Sequence, residues 1–434
     1  MSSTSACVLG IDVGTSGVRV IAIDRSGRQL AMSKFLYSEV GTGVSVDDAY
    51  RSTELWWKGV QRAIKTVVDE LAQHVVVALA VDGTSGSMLP IDRTGEPLAE
   101  PLMYNDSVHD TRILASIAEV MPQESAAGGA TSGLAKVMTF TNLKPHAVLH
   151  QADWIVGKLS GNFTCSDANN ALKTGFDPVA MAWPEWISSA ASTNILPLLP
   201  HVAKPGDQVE AVSDQVKKEL GLKADVKIIA GTTDGCAAFL ATGAKHTGDA
   251  VTSLGSTLTL KLLSDTPIFA PEFGVYSHRI GDIWLAGGAS NTGGAVLSHF
   301  FSATELIELS ANINTNVSSG LDYYPLVKPG ERFPINDPDY PPRIEPRPAS
   351  DSLFLHGLLE GIAEVERIAY QKLTDSGAPQ VRSVRTVGGG AANAVFTRIR
   401  QSRMSVDFEP AVSEEAAYGT ATLAKAAADK ETLW

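Results

Sequence analysis

Apolar residues fill Cys7–Val13 almost without interruption, and Val18–Asp24 alternates in the manner of a strand, with Gly14-Thr15-Ser16-Gly17 between them. Two such runs around a glycine and hydroxyl turn predict a β-hairpin. Asp24-Arg25-Ser26-Gly27 predicts a second turn, into a strand near Gln29–Phe35. Over 53–73 the spacing changes to that of a helix, with Leu55, Trp56, Val60, Ile64, Val67, Val68 and Leu71 on one face. A buried strand follows over 75–81 and ends in Asp82-Gly83-Thr84-Ser85-Gly86. Strands, helix and buried strand in this order predict an α/β fold with helices covering a sheet.

Residues 104–225 are mixed and loop-rich. Strand, turn and helix return over 226–244, where Thr232 or Thr233 can cap the helix and Asp234 falls in its first turn. Residues 250–263 repeat the opening pattern of strand, Gly255-Ser256-Thr257 turn and strand. A stretch rich in Pro, Gly and Asp (318–348) predicts a long ordered loop. A helix is predicted over 354–373, a strand, glycine turn and helix over 383–401, and an alanine-rich helix over 413–428. The two hairpins lie about 240 residues apart and read as an internal duplication. Two residues before the turn glycine the first has Asp12 and the second Ser253, so charge-dependent chemistry is expected on the first copy.

The 434 residues suggest two or three domains, and a 44% hydrophobic content supplies their cores. Against 35 Lys and Arg stand 48 Asp and Glu, a net charge of −13, which disfavours a general nucleic-acid binder. Cys7, Cys165 and Cys236 form neither a disulfide framework nor a zinc pattern, as expected of a reducing compartment. No apolar run approaches the roughly 20 residues of a membrane span. No leader is predicted, because the first cationic side chain is Arg19 and a strand begins at Cys7. A cytoplasmic location is expected, with the plastid stroma as the alternative if a transit peptide has been removed.

Walker-type phosphate binding is excluded, since Gly157-Lys158 lacks the upstream glycine and continues into leucine. The hairpin turns offer another cradle. Successive N–H groups of Gly14, Thr15, Ser16 and Gly17, and of Gly255, Ser256 and Thr257, can bind phosphate oxygens. Asp12 is placed to hold Mg²⁺ through water. Asp234 reads either as a general base toward a substrate hydroxyl or as an acid that merely stabilises its helix. Gly388-Gly389-Gly390, with Asp407 about 20 residues on, nearly matches a dinucleotide fingerprint, but Asn393 stands at the third glycine position. His146 and His150 have helical i, i+4 spacing without the glutamate of a zinc protease, and read as helix surface or packing.

Together these segments resemble the FGGY carbohydrate kinases of the actin, hexokinase and Hsp70 superfamily. Asp12–Ser16 is similar to the first phosphate motif, Thr252–Thr259 to the second, Gly388–Asn393 to the adenosine motif and Thr232-Thr233-Asp234 to the catalytic segment. Residues 80–86, 231–241, 250–257, 274–279, 287–294, 320–326 and 330–335 resemble the compact plant and cyanobacterial D-ribulose kinases within that family. Where larger xylulokinases carry a Gly-Gln-x-His-Gly segment this chain has Gly83-Thr84-Ser85-Gly86, and Tyr104 replaces a tryptophan.

The resemblance implies two ribonuclease-H-like domains with a central ATP cleft, here 1–241 plus 415–434 on the sugar side and 242–414 on the nucleotide side. It implies ATP and Mg²⁺, Asp234 as catalytic base, sugar contacts from Asp12, Asp82, Ser85, Tyr104 and Asp234, and adenosine contacts from Gly287, Gly288, Gly388, Gly389, Gly390 and Asn393. The expected reaction is ATP-dependent phosphorylation of D-ribulose to D-ribulose 5-phosphate, with D-xylulose or another pentulose or polyol as the alternative substrate. The partners are then the sugar and ATP, with no nucleic acid or membrane, and a monomer or weak oligomer is expected. Two competitors come from other classes: a nucleotide-gated binding protein of the actin or Hsp70 type, and an NAD enzyme using 388–407.

Overall fold

The computed structural model describes residues 5–39, 46–191 and 194–430. Within them the chain forms two compact units, 1–241 with 278–282 and 415–434, and 242–277 with 283–414. The expected domain ends at 1–4 and 431–434 lie outside the described residues.

The first unit opens with β1 (Ser5–Val13), β2 (Gly17–Asp24) and β3 (Gln29–Leu36). Helix α1 (Thr53–Glu70) is capped by Ser52, whose hydroxyl accepts from the Leu55 N–H at 3.3 Å, and leads to β4 (His74–Gly83). Next come β5 (Met88–Ile91), α2 (Gly133–Phe140), β6 (Ala147–His150), α3 (Gln151–Ser160), β7 (Gln208–Ala211), β8 (Lys227–Thr233) and α4 (Asp234–Ala241). The sheet order is β3-β2-β1-β4-β8-β7, with β1, β4 and β8 mutually parallel.

The second unit contains β9 (Asp249–Leu254), β10 (Leu258–Ser264), the start of β11 (Tyr276–Ile280, whose residues from 278 on group with the first unit), β12 (Ile283–Ser290), α5 (Gly294–Phe300), α6 (Asp351–Asp375), β13 (Ser383–Val387), α7 (Ala394–Met404) and β14 (Asp407–Glu409). Its sheet order is β11-β12-β10-β9-β13-β14, again an antiparallel hairpin followed by parallel strands. The loop 318–348 is anchored by Glu331, whose carboxylate accepts from Ser290 Oγ (2.6 Å), the Asn291 N–H (2.7 Å) and Tyr324 OH (2.8 Å).

Helix α8 (Ala416–Asp429) returns to the first unit. Alternate β1 residues divide between the faces of the sheet, as pleating requires. Cys7, Leu9, Ile11 and Val13 pack with the α1 residues Leu55, Trp56, Val60 and Ile64, while Val8 joins Ala417, Ala421 and Ala424 of α8. The alanines let α8 lie close: a Cβ on Gly10 would sit 1.9 Å from the Ala417 carbonyl oxygen. Residues 278–282 join this unit through Asn169, whose side-chain amide donates to the Arg279 carbonyl (2.7 Å) and accepts its N–H (2.8 Å).

Thr232 and Thr233 end β8 directly before α4, and Thr232 Oγ1 accepts from Asn169 Nδ2 at 2.8 Å. One local expectation changes. His150 ends a strand rather than lying on a helix with His146, and its Nε2 is 3.2 Å from Thr174 Oγ1. The three cysteines are free thiols, and no helix among the described residues is long and apolar enough to cross a membrane.

Candidate active site

The parallel strands of the first unit bring acids together at their C-terminal ends, the usual ligand edge of an open α/β sheet. Asp12 on β1 is in register with Asp82 on β4, which is in register with Thr232 on β8. Two residues later Asp234 opens α4, and its Oδ1 accepts the Gly235 N–H at 2.6 Å. Burial and the neighbouring carboxylate charge of Asp234 raise Asp12 to about 6, although Arg19 opposes the shift from 3.4 Å. Asp82 is fully buried and is pushed well above the ordinary carboxylate range, first by burial and then by Asp12. Its Oδ2 accepts from Thr420 Oγ1 of α8, and Oδ1 has no hydrogen-bond partner. Asp82, expected as a sugar contact, thus lies beside Asp12 at the strand ends and is shielded from solvent.

The β1–β2 turn also departs in part from the expected cradle. The Gly14 N–H is spent on the Gly17 carbonyl at 3.0 Å, and Gly17 is where the chain passes β3, a Cβ there falling 2.1 Å from the Phe35 carbonyl oxygen. Thr15 and Ser16 are exposed at the tip, and Arg19 Nη2 lies 3.4 Å from Ser16 Oγ.

Beyond β4 the Gly83–Ser87 loop is held by hydroxyl and amide groups. Gln151 Oε1 accepts the Thr84 N–H (3.0 Å) and the Thr84 hydroxyl (2.8 Å), and Thr84 Oγ1 and Ser87 Oγ are 2.6 Å apart. Ser87 Oγ also accepts the Tyr104 N–H at 3.0 Å, which joins the two expected sugar segments. The Tyr104 side chain is exposed. Ser85 Oγ and Gln151 Nε2 are shielded from solvent and have no hydrogen-bond partner.

In the second unit the Gly255–Thr257 turn has its carbonyls engaged. Gly255 and Ser256 accept from the Gly294 (2.8 Å) and Ala295 (3.0 Å) N–H groups at the start of α5. Gly388 (φ +87°) and Gly390 press on the preceding residue, Leu254: added Cβ atoms would lie 2.9 Å from its carbonyl oxygen and 2.7 Å from its Cβ. At Gly389 a Cβ would meet nothing within 4 Å. Asn393 is the N-cap of α7. Its Oδ1 accepts the Val395 and Phe396 N–H groups, both at 3.0 Å, and its Nδ2 lies 3.0 Å from Ser310 Oγ. Gly287 and Gly288 lie within β12, where added Cβ atoms would strike the Leu260 carbonyl oxygen (2.4 Å) and the Phe333 ring (2.4 Å). Close packing accounts for those two glycines.

The FGGY carbohydrate-kinase N-terminal domain model matches residues 7–241 and the C-terminal domain model residues 250–428. The chain belongs to the FGGY family of carbohydrate kinases. A xylulose kinase of Staphylococcus epidermidis is 24% identical over 96% of this chain and 87% of that protein. The Escherichia coli xylulose kinase is likewise 24% identical, over 98% of this chain and 90% of its own length. Among solved structures, a xyloylose kinase from Brucella ovis superposes with a TM-score of 0.85 at 20% identity, covering 98% of this chain and 91% of the other. A Plasmodium falciparum glycerol kinase with ADP superposes with a TM-score of 0.83 at 15% identity, over 99% and 91% of the two chains. These likenesses show the α/β fold of FGGY sugar kinases.

In this FGGY chain several site residues carry no local sequence signal. Lys173, whose ammonium feels the charge of Asp234, lies in the loop-rich stretch and passes Gly86, its Cδ 3.7 Å from where a Cβ would stand. Gln151 and Thr420 matter only through residues 67 and 338 positions away. For a divalent cation, no group of three or more His, Cys, Asp or Glu that could hold a metal occurs among the described residues. The Asp12 carboxylate, an oxygen donor that Arg19 reaches only at 3.4 Å, fits Mg²⁺ held through water, an ion that commonly keeps several waters.

Proposed function

We propose that this FGGY chain is an ATP-dependent ketopentose kinase that converts D-ribulose to D-ribulose 5-phosphate. The observation that carries the reading is the placement of Asp234 at the mouth of β8, beside the Asp12–Asp82 pair and the Lys173 ammonium. Asp234 takes the proton of the sugar's primary hydroxyl. That oxygen bonds to the γ-phosphorus while the bond to the β–γ bridging oxygen breaks, and ADP leaves. Phosphoryl transfer asks the protein mainly for positioning and charge stabilisation. The Thr15 and Ser16 hydroxyls donate to the moving phosphoryl group, and Asp12 would hold Mg²⁺ through water. When bound, Mg²⁺ neutralises charge developing on the phosphate oxygens. The Gly255–Thr257 turn and the Gly388–Gly390 turn take the nucleotide. Incubating the protein with ATP and a panel of ketopentoses and polyols, and following ADP, tests the reading. Absence of sugar-dependent ADP release across the panel would overturn it.

D-xylulose is the second candidate, favoured by the names of the relatives. The Gly83–Gly86 loop favours D-ribulose, because it is short and presents an unspent Ser85 hydroxyl. A buried hydroxyl without a partner costs about 1–3 kcal/mol, which a ligand hydroxyl would recover. The two sugars differ only at C3, and a site built to bond one hydroxyl rejects the analogue that misplaces it. We expect a higher kcat/KM for D-ribulose, and Ser85→Ala should narrow the gap. A side-by-side assay in which D-xylulose is the better substrate reverses the assignment but leaves the kinase chemistry standing.

A further inference from the structure

We infer that Lys136 is the positioning residue that sets the sugar pocket's shape, by clamping the Gly83–Ser87 loop to the Met103–Tyr104 loop. The inference rests on the ketopentose reading of this site. Lys136 is wholly buried on α2, and its Nζ donates to the Gly86 carbonyl at 2.8 Å and to the Met103 carbonyl at 2.6 Å. Each accepting carbonyl neighbours a residue assigned to the sugar, Ser85 on one loop and Tyr104 on the other. Both bonds are charge-assisted, which makes them shorter and about twice as strong as neutral ones.

The surroundings explain why an ammonium does this work. No carboxylate bonds Lys136; the nearest acid acting on it, Asp106, is itself committed to Arg51 and to the Met103 N–H at 2.7 Å. Burial lowers the ammonium to about 8, against the raising influence of Asp106. A buried cation without a bonded counter-ion is costly unless its donors are used. Here two of the three are used, on the backbone of two loops that otherwise meet through the short Met88–Leu102 bridge and the Ser87–Tyr104 bond. The α2 turn that carries Lys136 is fixed in its turn, with the Ser132 hydroxyl accepting the Ala135 N–H at 3.0 Å. Lys136 touches no reacting atom in this scheme and acts through Ser85 and Tyr104.

The test uses the full chain and Lys136→Met, which keeps the length of the side chain and removes its donors. Amide hydrogen exchange is measured over 84–88 and 102–106, and initial rates are measured with D-ribulose and ATP varied separately. We expect faster exchange in both loops together, a rise of at least tenfold in the KM for D-ribulose, and a KM for ATP within twofold of wild type. Lys136→Gln, which keeps one donation, should fall between; it also serves if Lys136→Met does not fold. Unchanged exchange in the two loops overturns the clamp. Faster exchange with an unchanged sugar KM, or equal losses for sugar and ATP, overturns its role in the pocket. If wild type phosphorylates no pentulose, the ketopentose reading and the pocket role fail together, while the exchange result still decides the clamp.

Discussion

A row of carboxylates at the ends of parallel strands is electrostatically expensive, the more so where the proposed function brings a polyanion. Burial pushes the Asp82 carboxyl well above its ordinary range, Asp12 is partly offset by Arg19, and the charge of Asp234 acts on Lys173. In the function we propose these acids have separate roles: Asp12 would hold water on a cation and Asp234 would take a proton. Asp234→Ala should therefore reduce turnover at saturating sugar by at least the 10²–10⁴-fold that a positioned base supplies, with ATP affinity nearly unchanged. Near-normal turnover of that variant would remove Asp234 from the chemistry. Asp12→Ala should leave the protein folded, since it deletes a charge whose burial is unfavourable, yet weaken the dependence on Mg²⁺. Titrating Mg²⁺ in both proteins measures this directly, and full activity with an unchanged Mg²⁺ curve would move the metal elsewhere.

Elements with strong local patterns were legible in the sequence, and contacts made across the fold were not. The hairpin strands showed because apolar runs stopped at glycine and hydroxyl turns, and α6 showed because its periodicity runs over 25 residues. Asn393 and Gly287 have packing roles that the sequence does not show. A cap and a close strand approach use the same residue types as a ligand loop, and only the tertiary neighbours, Ser310 and Leu260, separate them. Lys136, Gln151 and Lys173 lie in a stretch with little periodicity, so their convergence on one loop had no local signature. Helix α8 shows what such long-range contacts decide. Gly419 lies against α4, where a Cβ would stand 1.9 Å from the Ala237 carbonyl oxygen. In an exposed helix Gly→Ala gains about 0.5–1 kcal/mol. Here the gain competes with overpacking against backbone, which costs about 1–3 kcal/mol, and with displacement of the helix that begins at Asp234. Gly419→Ala should lower both Tm and kcat; a thermal melt and initial rates decide it, and a more stable, fully active variant would show that α4 yields without consequence.

On the scale of the whole chain, one topology occurs twice with different chemistry at its turns. The hairpin β1–β2 and the parallel partner β4 correspond to β9–β10 and β13, and Asp12 corresponds to Ser253. The second copy thus keeps a phosphate-type turn without the charge, as expected of a nucleotide-holding unit. The same topology removes the dinucleotide alternative at 388–407. In register, Asp407 pairs with Ser383, at the start of β13, whereas Gly388 follows its end. Five residues of strand at about 3.3 Å each place the acid some ~16 Å from the glycine turn, beyond reach of a ribose bound there. ATP or ADP should therefore protect the protein against heating and NAD should not. A ligand at a hundred times its Kd adds about 2.7 kcal/mol. In a unit of this size that amounts to a rise in Tm of roughly 5–10 °C. Differential scanning with each nucleotide in turn provides the measurement, and stabilisation by NAD equal to that by ATP would return the glycine turn to the dinucleotide reading.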